Sequence, residues 1–281
     1  MGRLYPRMRE RPPEFTLNAA SHLFNGLQFV LAPDTSAQVD RSSWRLPAMI
    51  RGTLSPKLIW WQSLSRYAYE FAGNVVNCFG FGKPERLYFD NVSFSIAVWA
   101  YKRTISGDYG RILTNLEALD SPYPGIFVAT RSTDFHFYLG DRNGVKGRLV
   151  LSGTAPDYST HHYCGVFRRV YTITGYVDGA VAGMTSLPEI GAITHNREVC
   201  IGNFDPGWAN QNWNGFLTDI MLWSRCLTES EIAALADPSN VDLRVGNVPL
   251  ILPPRRRFWP VVSEQAIPKM VPWHLFQQVS A

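Results

Sequence analysis

Cysteine is scarce in this sequence and carries no pattern. The four residues, Cys78, Cys164, Cys200 and Cys226, form no C-x-x-C pair and no Cys/His spacing of the zinc-finger kind. A structural zinc site is therefore not expected. Their even number leaves disulfide pairing open, and buried free thiols are the expectation for a chain made in a reducing compartment. Long apolar runs are also missing. Nothing approaches the ~18 residues of a membrane-spanning helix. Residues 1–15, MGRLYPRMRERPPEF, hold no apolar block, so no secretory signal is expected. Charge is sparse as well, at 18% of residues against 46% hydrophobic and 13% aromatic. That balance points to a large β core, or to apolar surface covered by partners.

The net charge of +4 is confined to the two ends. Residues 1–14 hold four Arg and two Glu, and residues 237–281 hold four Arg and one Lys against Asp237, Asp242 and Glu264. Each end therefore contributes +2, and the segment between is neutral. This argues against a basic nucleic-acid-binding face on the core. Catalytic signatures are absent too: no G-x-S-x-G, no H-E-x-x-H and no phosphate-binding glycine loop.

What is present is organised around residues 199–236, VCIGNFDPGWANQNWNGFLTDIMLWSRCLTESEIAALA. This stretch reads as a short strand, a Trp/Asn/Gly loop, a long strand, a turn and a capped helix. In the long strand, Phe216, Ile220 and Leu222 are placed on one face, with Leu217, Met221 and Trp223 on the other. Apolar residues on both faces imply a strand covered on both sides. Asp219 is its only charge. Thr228 and Glu231 have capping-box spacing, and Leu227 with Ile232 completes a hydrophobic staple. Asp237-Pro238 ends the helix.

Upstream, short strands are expected at residues 23–31, near 69–71, and at 94–101, 112–116, 125–130, 135–139, 148–151, 163–167, 170–177 and 180–182. Asn143-Gly144 and Asp178-Gly179 mark hairpin turns. Many short strands with Gly/Asn/Asp turns and one helix fit an antiparallel double sheet.

Several of these pieces resemble the laminin-G-like, concanavalin A-like jelly roll. The residues carrying the resemblance are Ile201-Gly202, Gly215, Asp219, Arg225, Leu227, Thr228, Glu231, Ile232 and Leu235. Residues 160–165 (THHYCG) resemble the family's W-H-H-V-A-G run without its Trp, and residues 176–179 (YVDG) its Y-V-D-G hairpin. Residues 94–99 (FSIAVW) resemble its F-T-I-S-A-W strand. Residues 69–73 (YEFAG) resemble L-x-F-D-G, with Ala in place of Asp. The resemblance implies an all-β, two-sheet jelly-roll sandwich with one short C-terminal helix and extended terminal arms. The expected domains are a basic, Pro-rich arm (1–22), the sandwich (23–236) and a Pro/Arg/aromatic arm (237–281).

Glucanases on such a fold use paired carboxylates on one strand, as in E-x-D-x-x-E. No such run occurs here. Glu229 and Glu231 are explained by the helix start, and Glu189, Glu198 and Asp219 stand alone. His161 and His162 are strand neighbours that face opposite ways, so they cannot share a site. Polysaccharide lyases on this fold need a Tyr/His/Arg cluster, which spacing alone does not place. No enzyme activity is expected.

For binding, the candidate is the loop at residues 204–214. Asp205, Trp208, Asn210, Asn212 and Trp213 there combine ring faces for sugar stacking with amides for hydroxyl groups. The alternative is a loop tucked against the sheet by its Trp residues. No cofactor is expected, although the resemblance admits calcium, with Asp108, Asp205 and Asn210 as ligands of no recognisable spacing.

In the C-terminal arm, Arg255, Arg256, Arg257, Phe258, Trp259, Trp273 and Phe276 form the candidate assembly strap. Residues 272–276 (PWHLF) resemble an ending found after laminin-G-like domains in phage and environmental bacterial proteins. The implied role is a non-catalytic structural or interaction protein. A virion component is the leading expectation: a capsid decoration, head-fibre or tail protein. Its partners would be other virion subunits in a homo-oligomer, with a cell-surface glycan as the alternative ligand.

Overall fold

The structure is a computed structural model that describes residues 23, 25–33, 46–52, 55–73, 77–90, 92–105, 107–116, 124–169, 172–193, 197–203 and 211–239. The first strands are β1 (Leu27–Leu31), β2 (Met49–Gly52), β3 (Lys57–Trp61), β4 (Arg66–Phe71) and β5 (Asn77–Gly80). Next come β6 (Phe94–Lys102), β7 (Gly110–Thr114), β8 (Gly125–Arg131), β9 (Asp134–Gly140) and β10 (Lys146–Leu151). The last are β11 (Ser159–Arg168), β12 (Thr172–Val177), β13 (Ala180–Ser186), β14 (Cys200–Ile201) and β15 (Gly215–Trp223), before helix α1 (Glu229–Ala236).

Among the described residues these strands make two sheets. The eight-stranded sheet runs β13-β12-β11-β6-β15-β4-β3, with β1 also on β15, and the seven-stranded sheet runs β10-β9-β8-β7-β14-β5-β2. Every ladder is antiparallel. This is the jelly-roll sandwich, built from alternating strands whose inner residues meet. Ile96 and Val98 of β6, Phe135 and Phe137 of β9, and Ile126 and Val128 of β8 fill the space between the sheets.

β15 is the centre of the larger sheet. On one side it pairs with β6 along its length, and on the other with β4 through Leu217 and with β1 from Ile220. It opens at Gly215, whose φ of +140° only glycine adopts easily, and where a Cβ would lie 1.9 Å from the Tyr101 carbonyl oxygen. The strand is buried nearly throughout, as its two-sided apolar pattern predicts.

Its facing, however, corrects the sequence reading. Leu217 packs in the sandwich interior with Ile220 and Leu222, while Phe216 lies outside with Met221 and Trp223. The cause is a β-bulge between Thr218 and Met221, where Asp219 has a φ of +51°. One extra residue reverses the alternation upstream of it. Asp219 also pairs with buried Arg66, Nη1 to Oδ2, at 2.6 Å.

Helix α1 begins as its sequence predicts. The Glu231 N–H donates to Thr228 Oγ1, and the Thr228 N–H donates to Glu231 Oε2 at 2.8 Å. Leu227 and Ile232 are both buried on the outer face of the larger sheet, against Val166, Tyr176 and Met221. β1 is shorter than expected, starting at Leu27, and Leu23 instead accepts a 2.8 Å hydrogen bond from Trp223 Nε1 at its carbonyl. β2, β3 and β5 add to the expected list.

Candidate functional site

The outer face of the seven-stranded sheet carries a cavity of about 340 Å³ lined by Tyr109, Arg111, Leu116, Phe127, His136, Tyr138, Lys146 and Arg148. Strand alternation explains the lining. On β9, Phe135, Phe137 and Leu139 point into the core, so His136 and Tyr138 point out. On β10, Leu149 and Leu151 point in, so Lys146 and Arg148 point out. Register then brings these residues together. Phe127 pairs with Tyr138, and Tyr138 with Arg148, giving one row across three strands. The next row joins Arg111, Ala129 and His136, and the small Ala129 leaves room between its larger neighbours. On the other side Lys146 pairs with Gly140, which adds no side chain.

The polar groups are held from behind. Arg148 donates to His136 Nδ1 from Nε at 3.2 Å and from Nη2 at 2.9 Å. A guanidinium only donates, so the imidazole proton sits on Nε2. Burial, followed by the charge of Arg148, lowers the His136 pKa to about 4, and the ring is neutral at pH 7. Its Nε2–H is buried without a hydrogen-bond acceptor in the protein. Arg111 is buried, donates through Nη2 to Gln211 Oε1, and stacks 4.8 Å from the Phe127 ring centre. Burial brings its pKa down to about 10, which still leaves it charged. Tyr109 packs edge-on to Phe127 with ring centres 5.2 Å apart. The site therefore offers ring faces and three cations, with the buried, neutral His136 ring bonded to Arg148. Among the described residues, no carboxylate is in the lining.

The loop singled out from sequence lies elsewhere in part. Asp205, Trp208 and Asn210 fall outside the described residues. Trp213 is fully buried in the main core and Asn212 is almost so, donating from Nδ2 to the Gly73 carbonyl at 3.4 Å. The stacking role expected of Trp213 is corrected, because both of its faces are taken up by the sandwich. Among the described residues of that loop, Gln211 reaches the cavity lining through Arg111. The strap residues Arg255, Arg256, Arg257, Phe258, Trp259, Trp273 and Phe276 also lie outside the described residues.

His161 and His162 separate as expected of strand neighbours, yet Asp178 holds both. Its Oδ2 meets His161 Nδ1 at 2.7 Å, and its Oδ1 accepts from the His162 backbone N–H at 2.8 Å. His162 itself is buried beside Trp99. Among the described residues no three His, Cys, Asp or Glu side chains gather as metal ligands. Asp108 is exposed, and the other two calcium candidates are outside the described residues. Cys78, Cys164, Cys200 and Cys226 are free thiols. No described helix is long and apolar enough to cross a membrane.

Two antiparallel sheets with one capped helix define a jelly-roll domain. A family model described as the concanavalin A-like lectin/glucanases superfamily matches residues 82–233, more than half of the sequence, and the chain belongs to that family. Its fold is similar to the binding domain of Paraclostridial Mosquitocidal Protein 1, with a TM-score of 0.62 and 16% identity over 76% of this chain and 52% of that one. It is likewise similar to the receptor binding domain of botulinum neurotoxin D, with a TM-score of 0.57 and 15% identity over 76% and 53%. The botulinum neurotoxin serotype G binding domain gives a TM-score of 0.58 and 12% identity over 74% and 50%. The chain thus spans about half the length of these structures, and at such identities the likeness shows the fold. No curated protein matches the sequence.

Proposed function

We propose that this domain is a non-catalytic binding module that receives a glycan in the cavity on the outer face of the seven-stranded sheet. The carrying observation is the lining itself, with Tyr138 and Phe127 side by side and hydrogen-bond donors around them. Aromatic faces take the apolar faces of sugar rings, and the donors take hydroxyl oxygens. Glycoside hydrolysis by the usual route needs two carboxylates, and the described residues of the lining supply none. The lining does hold the Tyr, His and Arg types that an eliminating lyase uses. His136 is a poor base there, because its Nδ1 lone pair is taken by Arg148. Binding is therefore favoured over turnover.

The test is to incubate the full-length protein with a polysaccharide panel and follow complex formation, reducing ends and the ultraviolet absorbance of unsaturated uronates together. Binding without product supports the module. Release of either product overturns its non-catalytic character.

The basic, aromatic C-terminal sequence favours a second, compatible reading, in which the chain is a virion subunit whose strap docks on a neighbouring copy. Here the measurement is solution mass. A defined oligomer is expected of the full chain, and a smaller species when Phe258, Trp259, Trp273 and Phe276 are all replaced by Ala. Equal monomer masses for both proteins would remove this reading.

A further inference from the structure

We infer that the sugar received in this cavity carries a negative charge, a carboxylate or a sulfate, held between Lys146 and Arg148. The inference rests on the glycan reading above and adds the charge class of the ligand. Lys146 and Arg148 stand two residues apart on the same face of β10, which places their Cα atoms about 7 Å apart. Both are exposed, and no carboxylate among the described residues pairs with either.

Among the described residues, other charges on this face do not neutralise them. Arg111 lies in the same lining, and Arg131 sits 5.4 Å from the Tyr109 ring. The carboxylate on that face of β9, Asp134, lies outside the lining and accepts a hydrogen bond from the Gly153 N–H at 3.0 Å. A ligand seated on Tyr138 would strip water from Arg148, its cross-strand neighbour. A neutral sugar returns nothing to that cation, whereas an anionic one forms a charge-assisted pair.

Arg148 is prepared for this. His136 holds the guanidinium through Nε and Nη2, so its plane is fixed while other N–H groups stay available. The His136 ring is kept neutral and adds no competing charge. Lys146, opposite the bare Gly140, stands over the open end of the row and supplies a second cation beyond the ring-binding part.

The experiment titrates full-length protein with matched oligosaccharides. One pair compares glucose with glucuronate and another compares galactose with its 6-sulfate, with inorganic sulfate run alone. The acidic members are expected to bind at least tenfold more tightly than the neutral ones, with affinity falling as salt rises. The arm that binds better tells carboxylate from sulfate. Lys146→Gln with Arg148→Gln should remove that preference, with an unchanged melting temperature as the folding control.

Equal binding of neutral and acidic sugars, untouched by the double variant, overturns the charge inference and leaves the glycan reading standing. Failure of every sugar removes the glycan reading itself. Inorganic sulfate bound as tightly as the acidic sugars overturns the inference in another way, since the site would then be an anion site without a sugar component.

Discussion

Glu231 shows how much one side chain can do at the surface of this sandwich. It closes the capping box with Thr228 and also receives Arg225, at 2.6 Å from Nη2 to Oε1 and 2.9 Å from Nη1 to Oε2. Burial on its own would raise the carboxyl pKa. The hydrogen bonds from Arg225 and Thr228 outweigh it and bring the pKa from 4.5 to about 2. A depressed acid stabilises the fold above its unfolded pKa and loses that effect as pH falls toward its folded one. Glu231→Gln, which can keep the capping hydrogen bond, should therefore cost about 1–2 kcal/mol at pH 7, from the lost ion pair with Arg225. The gap between variant and parent should close as pH drops from 4.5 to about 2. Denaturant titrations at a series of pH values measure this. A gap that persists unchanged at pH 2 would contradict the ion-pair account.

At the scale of the element, β15 turns on its bulge. Asp219 sits at positive φ and meets Arg66, whose Nη2 also donates to the Pro238 carbonyl at 2.6 Å. Both side chains are buried, and burial lowers the Arg66 pKa to about 10 without discharging it. Asp219→Ala leaves that cation without its carboxylate, at a positive φ that Ala tolerates less well than Asp, a loss of about 3–5 kcal/mol. Replacing both partners, Arg66→Met with Asp219→Gly, should cost less than the sum of the single changes. A double-mutant cycle in denaturant checks this, and strict additivity would mean the pair is not coupled.

The same bulge explains what could be read from the sequence and what could not. The alternation of β6 and the capping box of α1 are local signals, and both appear where the residues place them. The facing of Phe216 and Leu217 is not local, because an inserted residue at Asp219 resets the count. β2 and β3 hide for another reason. Met49, Ile50, Leu58 and Trp60 are 39–46% exposed on edge strands, so their apolar residues mark no inside face. The cavity is assembled from strands β7 to β10, with no contiguous motif. Only the outward alternation of His136 and Tyr138, and of Lys146 and Arg148, was available as a hint.

For the molecule as a whole, the buried imidazoles set the response to acid. His136 and His162 belong to different sheets, and both are nearly inaccessible. His136 is lowered to about 4 by burial and by Arg148 and Arg131, against the attraction of Asp134. His162 is lowered to about 3 by burial and Arg66, against Asp178. In the unfolded chain both titrate near 6.5. Acid therefore protonates the unfolded state first. The stability these neutral rings allow is complete above pH 6.5 and drains away as pH falls toward 4 and then 3. Glu231, with an unfolded pKa of 4.5, contributes to acid loss only lower down. In the interval from pH 6.5 to 5 each histidine should take roughly 1–2 kcal/mol from the fold. His162→Gln should flatten that slope, even if the variant starts from a lower stability at pH 7. Unfolding midpoints at pH 7, 6 and 5 for parent and variant decide it. Parallel curves would mean that His162 accepts a proton in the folded state, and that the sheet opens around Trp99 to let it do so.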